Sequence, residues 1–97
     1  MFDTDEDLLR GIAAGRAEAL ASFYDRYARS AYGLALRLVG SPEGAEEVVQ
    51  EAFWRVWRGA GGFDPSRSKP ATWLLSIVHH QAIDQLRRRR RRPDEAH

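Results

Sequence analysis

Ala45-Glu46-Glu47-Val48-Val49-Gln50-Glu51-Ala52-Phe53-Trp54-Arg55-Val56-Trp57 is the stretch that decides the fold. Advanced by about 100° per residue, Ala45, Val48, Val49, Ala52, Phe53, Val56 and Trp57 share one broad apolar arc. Glu47, Gln50, Glu51, Trp54 and Arg58 fall opposite. Apolar residues recurring by threes and fours describe a helix that buries one face. Its boundaries read equally well. Ser41 is placed as N-cap, Pro42 occupies the first helical position, and Glu43, Glu46 and Glu47 sit where the helix dipole favours anions. Gly59-Ala60-Gly61-Gly62 should end all helical structure.

Working outward, Leu20, Phe23, Tyr24, Tyr27, Ala31, Leu34, Ala35 and Leu38 give a preceding long helix, from about Arg16 to Val39, with the same spacing. Gly40 closes it. Before that, Leu8, Leu9 and Ile12 mark a short helix from about Thr4 to Ala14, capped by Thr4 or Asp5 and stopped by Gly15. After the glycines, Phe63-Asp64-Pro65-Ser66-Arg67 has turn composition. A last helix starts at Ser68 and Pro70, carries the stripe Leu74, Leu75, Val78, Ala82 and Leu86, and runs into Arg87–Arg92 until Pro93. There is no alternating run and no Asn-Gly or Asp-Gly turn. The expected fold is all-α, a compact bundle of four helices with the second to fourth long.

Ninety-seven residues make one domain, and with no cysteine the fold has neither disulfide nor thiolate metal site. The start is acidic where a signal peptide would be basic, and no apolar run approaches the roughly 20 residues of a membrane span. A soluble cytoplasmic protein is expected. The net charge of +1 hides a polarity. Residues 1–51 hold ten acids and five bases, whereas residues 52–97 hold ten bases and four acids. One face of such a chain can meet a polyanion while another meets protein; two ordinary solvated faces would read the same way.

Several side chains are left over once the core is assigned. Trp54 stands in a charged face, either as a protein-binding hot spot or packed under the N-terminal helix. On the last helix Trp73, Ser76, His80, Asp84 and Arg87 gather opposite the core stripe, with Arg67 and Lys69 just before it. Rings, hydrogen-bonding groups and a basic track are what single-stranded nucleic acid requires, since bases stack while cations follow phosphates; Trp73 completing the core is the alternative. Six consecutive arginines exceed what a helix C-terminus needs and would bind nucleic acid in a strongly salt-dependent way. Catalysis has no support: no cysteine nucleophile, G-x-S-x-G, P-loop or H-E-x-x-H occurs. His79 and His80 diverge by about 100° on a helix and cannot chelate one metal. Neither enzyme, metal, cofactor nor small-molecule substrate is expected.

The chain resembles region 2 of bacterial sigma factors, specifically the extracytoplasmic-function (ECF, group IV) class. The segments that carry the resemblance are Ala45 to Trp57, Phe63-Asp64-Pro65, Ala71-Thr72-Trp73-Leu74-Leu75-Ser76-Ile77-Val78 and Ala82-Ile83-Asp84-Gln85-Leu86-Arg87-Arg88, in this order. The resemblance implies that Glu47, Gln50 and Glu51 dock on the β′ clamp helices of core RNA polymerase, with Trp54 and Arg58 continuing that face. It implies that Arg67, Ser68, Lys69, Thr72, Trp73, Ser76, His79 and His80 meet the promoter −10 element as non-template single strand, one base flipped into a loop pocket. Arg87 and Arg88 then look like a duplex or linker contact, and an anti-sigma factor is an expected regulator.

The chain departs from its relatives at three points. His80 stands where many have asparagine, so base preference does not carry over. Trp73-Leu74 aligns with an aromatic pair of primary sigma factors, so a two-ring wedge is lacking. Region 4, which reads the −35 element, does not follow; residues 1–92 are the expected domain, 93–97 the start of a linker or tail, and an excised domain is favoured over a chain that works with another subunit. Two rival functions remain at this level. A nonspecific nucleic-acid-binding bundle would depend on Arg87–Arg92 alone, and a protein-only interaction module would depend on Trp54 and show no oligonucleotide preference.

Overall fold

The computed structural model describes residues 3–90, and the start signals in the sequence act where they stand. Thr4 Oγ1 accepts from the Asp7 backbone N–H (3.0 Å) while the Asp7 carboxylate accepts from Thr4 N–H (3.3 Å), a reciprocal capping box. It opens α1 (Asp5–Ala13). Gly15 and Gly40, at φ of 83° and 79°, take the left-handed conformation that ends a helix at least cost in glycine. Between them lies α2 (Ala17–Val39). Ser41 Oγ accepts from Gly44 N–H (3.1 Å) and Pro42 takes the first position of α3 (Pro42–Gly59).

The glycine-rich segment needs a correction. It ends the α-helix at Gly59, but Ala60–Gly62 continues as one 3-10 turn, closed by Phe63 N–H donating to the Ala60 carbonyl (3.1 Å). The tighter turn keeps the Ala60 methyl buried on the side where α1 packs, burial that unrestrained glycines would forfeit. Ser68 does not cap the last helix. Its Oγ donates to the Lys69 carbonyl (3.1 Å), which also accepts from Trp73 N–H (2.9 Å), and α4 spans Pro70–Arg90. The expected stop at Pro93 lies outside the described residues, as do Arg91 and Arg92.

The all-α bundle is as the periodicity requires. α2 packs against each of the other three helices. Phe23 is fully buried within it, joined in the core by Leu8, Leu9 and Ile12 of α1, Val48 and Val56 of α3, and Leu74 and Val78 of α4. Removing each such side chain from water contributes about 1.5–3 kcal/mol. Ala31, Ala35, Ala45, Ala52 and Ala82 are also fully buried, and small side chains at a crossing let helix axes approach. α1 is further tied down through Asp5, whose carboxylate accepts from the Tyr27 hydroxyl and from Arg26 Nη1 (2.7 Å). Burial, then the Asp5 hydrogen bond and charge, push the Tyr27 phenol up to about 12.

Two details of the core differ from the sequence reading. Tyr24, on the apolar stripe by spacing, is 46 % exposed; its ring lies edge-on to Phe53 (centroids 4.9 Å apart) at the margin of the α2–α3 seam. Gln81 and Gln85, polar residues on α4, are each only 5 % exposed, whereas Leu75 and Leu86 are half-buried. The α4 stripe is therefore rotated toward the glutamines.

Candidate functional site

Glu47, Gln50, Glu51, Trp54 and Arg58 follow one another by threes and fours along α3, and all five are exposed. Trp54 is 53 % exposed, so the ring faces solvent and is not packed under α1. The Arg58 guanidinium stands 6.0 Å from the Trp54 ring centroid, near enough for a cation–π attraction, and Glu51 pairs with Arg55 at 3.6 Å. To one side of this face, Ala17, Leu20, Gln50, Phe53, Trp54 and Trp57 line an apolar hollow of about 300 Å³. To the other, Glu47, Gln50, Glu51 and Trp54 share a hollow of about 410 Å³ with Arg88 of α4. The face thus offers acceptors, one large ring and flanking apolar surface.

A second group collects at the start of α4. Asp64 Oδ1 accepts from both the backbone N–H (2.9 Å) and the hydroxyl (2.7 Å) of Ser66, and the Asp64 carbonyl accepts from Arg67 N–H (3.0 Å) and Ser68 N–H (3.3 Å). The two Ser66 hydrogen bonds hold the Asp64 carboxyl below its ordinary value. This turn carries Arg67 and Lys69 outward, with Ser68 half-buried between them. Thr72, Ser76, His79 and His80 are exposed on the helix that follows, the two imidazoles 6.0 Å apart by centroid. Trp73 is half-buried, edge-on to Phe63 at 5.4 Å, and both rings pack on the core. Trp73 therefore helps to close the core, and part of its ring stays outside.

Arg87 and Arg88 are both exposed. Arg88 borders the α3 hollow, and Arg89 Nη2 donates to Ser41 Oγ (3.3 Å) at the α3 N-terminus. The end of α4 therefore lies along the first turns of α3. Among the described residues no three His, Cys, Asp or Glu side chains are grouped to hold a metal, and no helix is long and apolar enough to cross a membrane.

Residues 23–92 match the family model for sigma-70 region 2, well over half of the chain. The chain belongs to the sigma-70 region 2 family. Curated relatives that it matches include ECF sigma factors. It is 42 % identical over 80 residues to the ECF RNA polymerase sigma factor SigK of Mycolicibacterium vanbaalenii, covering 82 % of this chain and 41 % of that protein. Over 85 residues it is 40 % identical to SigK of Mycobacterium sp. strain KMS, covering 87 % of this chain and 44 % of the relative. SigK of Mycobacterium tuberculosis strain H37Ra is 38 % identical over 80 residues, 82 % of this chain and 43 % of the relative. The chain thus spans less than half the length of the curated relatives it matches.

Within this region 2 domain the α3 face and the α4 surface were both visible in the sequence, but the joint between them was not. Gln85 Nε2 donates to the Gly44 carbonyl (3.1 Å) and to Glu47 Oε2 (3.1 Å), bringing α4 onto α3. The signal that could have found it is spacing: Val78, Ala82 and Gln85 share one helical face, so a polar residue at Gln85 is aimed inward.

Proposed function

We propose that this region 2 domain serves transcription initiation without being an enzyme, docking on core RNA polymerase through α3 and holding the promoter −10 element as single strand at α4. Glu47, Gln50, Glu51, Trp54 and Arg58 meet the β′ clamp helices; the Asp64 turn with Arg67, Ser68 and Lys69, together with Thr72, Trp73, Ser76, His79 and His80, meets the non-template strand. Arg87 and Arg88 face nucleic acid beyond that element, and Arg88 also borders the docking face beside Glu47 and Trp54. An anti-sigma factor covering either surface is the proposed regulator, the cytoplasm the proposed location, and residues 1–92 the proposed domain.

The observation that carries the reading is the exposed Trp54 amid carboxylates and an arginine on α3, inside the segment that matches sigma-70 region 2. A large aromatic held out of the core forgoes burial in the monomer, and desolvated rings of this kind dominate protein interfaces. On the DNA side, melting follows from differential binding: a surface that holds single strand better than duplex raises the population of the open state. Unstacking a base costs a few kcal/mol, and stacking contacts of roughly 1–3 kcal/mol per base offset it.

Fluorescence anisotropy with −10-like single strands and scrambled controls, at two salt concentrations, tests the DNA half of the proposal. Sequence preference that persists at the higher salt and disappears in a Trp73→Ala/His80→Ala double variant is expected. Equal binding to every oligonucleotide, lost with salt and indifferent to the variant, would leave only arginines holding phosphates.

A further inference from the structure

Gln85 is 5 % exposed, yet it carries an amide that must find partners in a dry site. Its Nε2 finds two, the Gly44 carbonyl and Glu47 Oε2, each at 3.1 Å and both on α3. Its Oε1 is buried with no hydrogen-bond partner among the described residues and lies over Gly44, where a Cβ would come within 2.7 Å of it. The approach is possible because residue 44 has no side chain. Next to it Arg89 Nη2 reaches Ser41 Oγ at 3.3 Å, so α4 grips the first turns of α3 at two levels.

We infer that Gln85 is a positioning residue for polymerase docking: from inside the bundle it fixes the carboxylate of Glu47 in the orientation that the clamp helices receive. The inference rests on the α3 docking reading proposed above. Glu47 is exposed, and an exposed glutamate otherwise samples many rotamers whose loss opposes binding. Gln85 is ordered by burial and by the Gly44 carbonyl before any partner arrives, so its second N–H holds Glu47 in advance. The same amide belongs to α4, the helix of the proposed DNA surface, so the docking carboxylate and the strand-binding helix are held in one register. Arg88, about one helical turn beyond Gln85, borders the hollow that Glu47 and Trp54 line and adds a cation to the docking face.

The test is a double-mutant cycle read as affinity for mycobacterial core RNA polymerase, using the whole chain. Gln85→Met keeps the side chain's length and burial but removes both N–H donors. It should weaken binding about two- to tenfold, the range expected when one side chain must be immobilised on binding. In a Glu47→Ala background, itself weaker, Gln85→Met should cause no further loss. Equal losses in the two backgrounds would mean that Gln85 only supports the fold, and no loss in the wild-type background would likewise overturn the inference. If Glu47→Ala alone leaves affinity unchanged, the docking reading fails first and takes this inference with it. Should Gln85→Met not fold, the side-chain amide protons of Gln85 in the wild-type chain give an independent readout by NMR. They should shift on Glu47→Ala, a surface change; unmoved resonances overturn the proposal.

Discussion

Phe63 and Trp73 meet edge to face across the turn that leads into α4, ring centroids 5.4 Å apart and planes at 64°. The contact joins the end of the 3-10 turn to the first turns of α4, so it braces the segment that carries Arg67, Ser68 and Lys69. Offset or edge-on aromatic pairs contribute about 0.5–1.5 kcal/mol beyond their buried area. A denaturation double-mutant cycle with Phe63→Leu and Trp73→Leu should return a coupling of that order. Phe63→Leu alone should also weaken single-strand binding, because a loosened turn must be ordered when the strand arrives. A coupling near zero would mean that the backbone hydrogen bonds to Asp64 hold the turn without the rings.

Trp54→Ala should separate stability from docking. The ring is more than half exposed and its Arg58 neighbour is a surface cation, so thermal unfolding should move little, within the roughly ±0.5 kcal/mol typical of surface changes. Affinity for core polymerase should fall by 2 kcal/mol or more, about thirtyfold, as for other interface hot spots. Unchanged affinity in this folded variant would remove the central residue of the proposed docking face.

The α3 face was legible because everything that fixes it is local: a proline after a serine cap, glycines at the end, and a wheel whose polar side is uninterrupted except by Trp54. Tyr24 was misassigned because spacing gives the direction of a side chain but not where the neighbouring helix stops; it sits at the seam's edge against Phe53. Gln85 was missed for a related reason. Its spacing from Val78 and Ala82 aims it inward, but its partners Gly44 and Glu47 lie 41 and 38 residues away, and periodicity does not say which residues it meets. Arg87–Arg92 read as a single basic track, whereas the helix turns Arg88 toward α3 and brings Arg89 to Ser41. Fold and family were thus available from short-range pattern, and the coupling between surfaces needed the packing.

Two glycine-to-alanine changes should have opposite signs. At Gly33, inside α2, an added Cβ meets nothing within 4 Å and the backbone is already helical. Gly33→Ala should stabilise by up to about 1 kcal/mol, the helix-propensity difference. At Gly44 the added Cβ would meet Gln85 Oε1 at 2.7 Å and Ser41 Oγ at 2.8 Å. The same propensity gain is then opposed by a displaced N-cap, about 1 kcal/mol, and by buried amide hydrogen bonds whose loss costs about 1–3 kcal/mol. Gly44→Ala should therefore be net destabilising in urea denaturation. A stabilised Gly44→Ala would show that the Gln85 side chain moves aside freely.

Tyr27 supplies a pH-dependent test of the α1–α2 tie. Its phenol is neutral, donates to Asp5, and is pushed up to about 12 by burial and by the neighbouring carboxylate. In the unfolded chain the same group titrates near about 10. A raised folded value means that the protonated form is the one the fold prefers, so the contribution is fully present below about pH 10 and is lost as pH rises toward 12. Tyr27→Phe keeps the packed ring and removes the hydroxyl, so its stability deficit relative to wild type should be constant through neutral pH and shrink across that alkaline window. Phenolate absorbance on the same samples should show one tyrosine ionising near pH 12 in the wild type and absent from Tyr27→Phe. A deficit that persists unchanged through the window would mean that the difference does not come from the protonated hydroxyl and its hydrogen bond to Asp5.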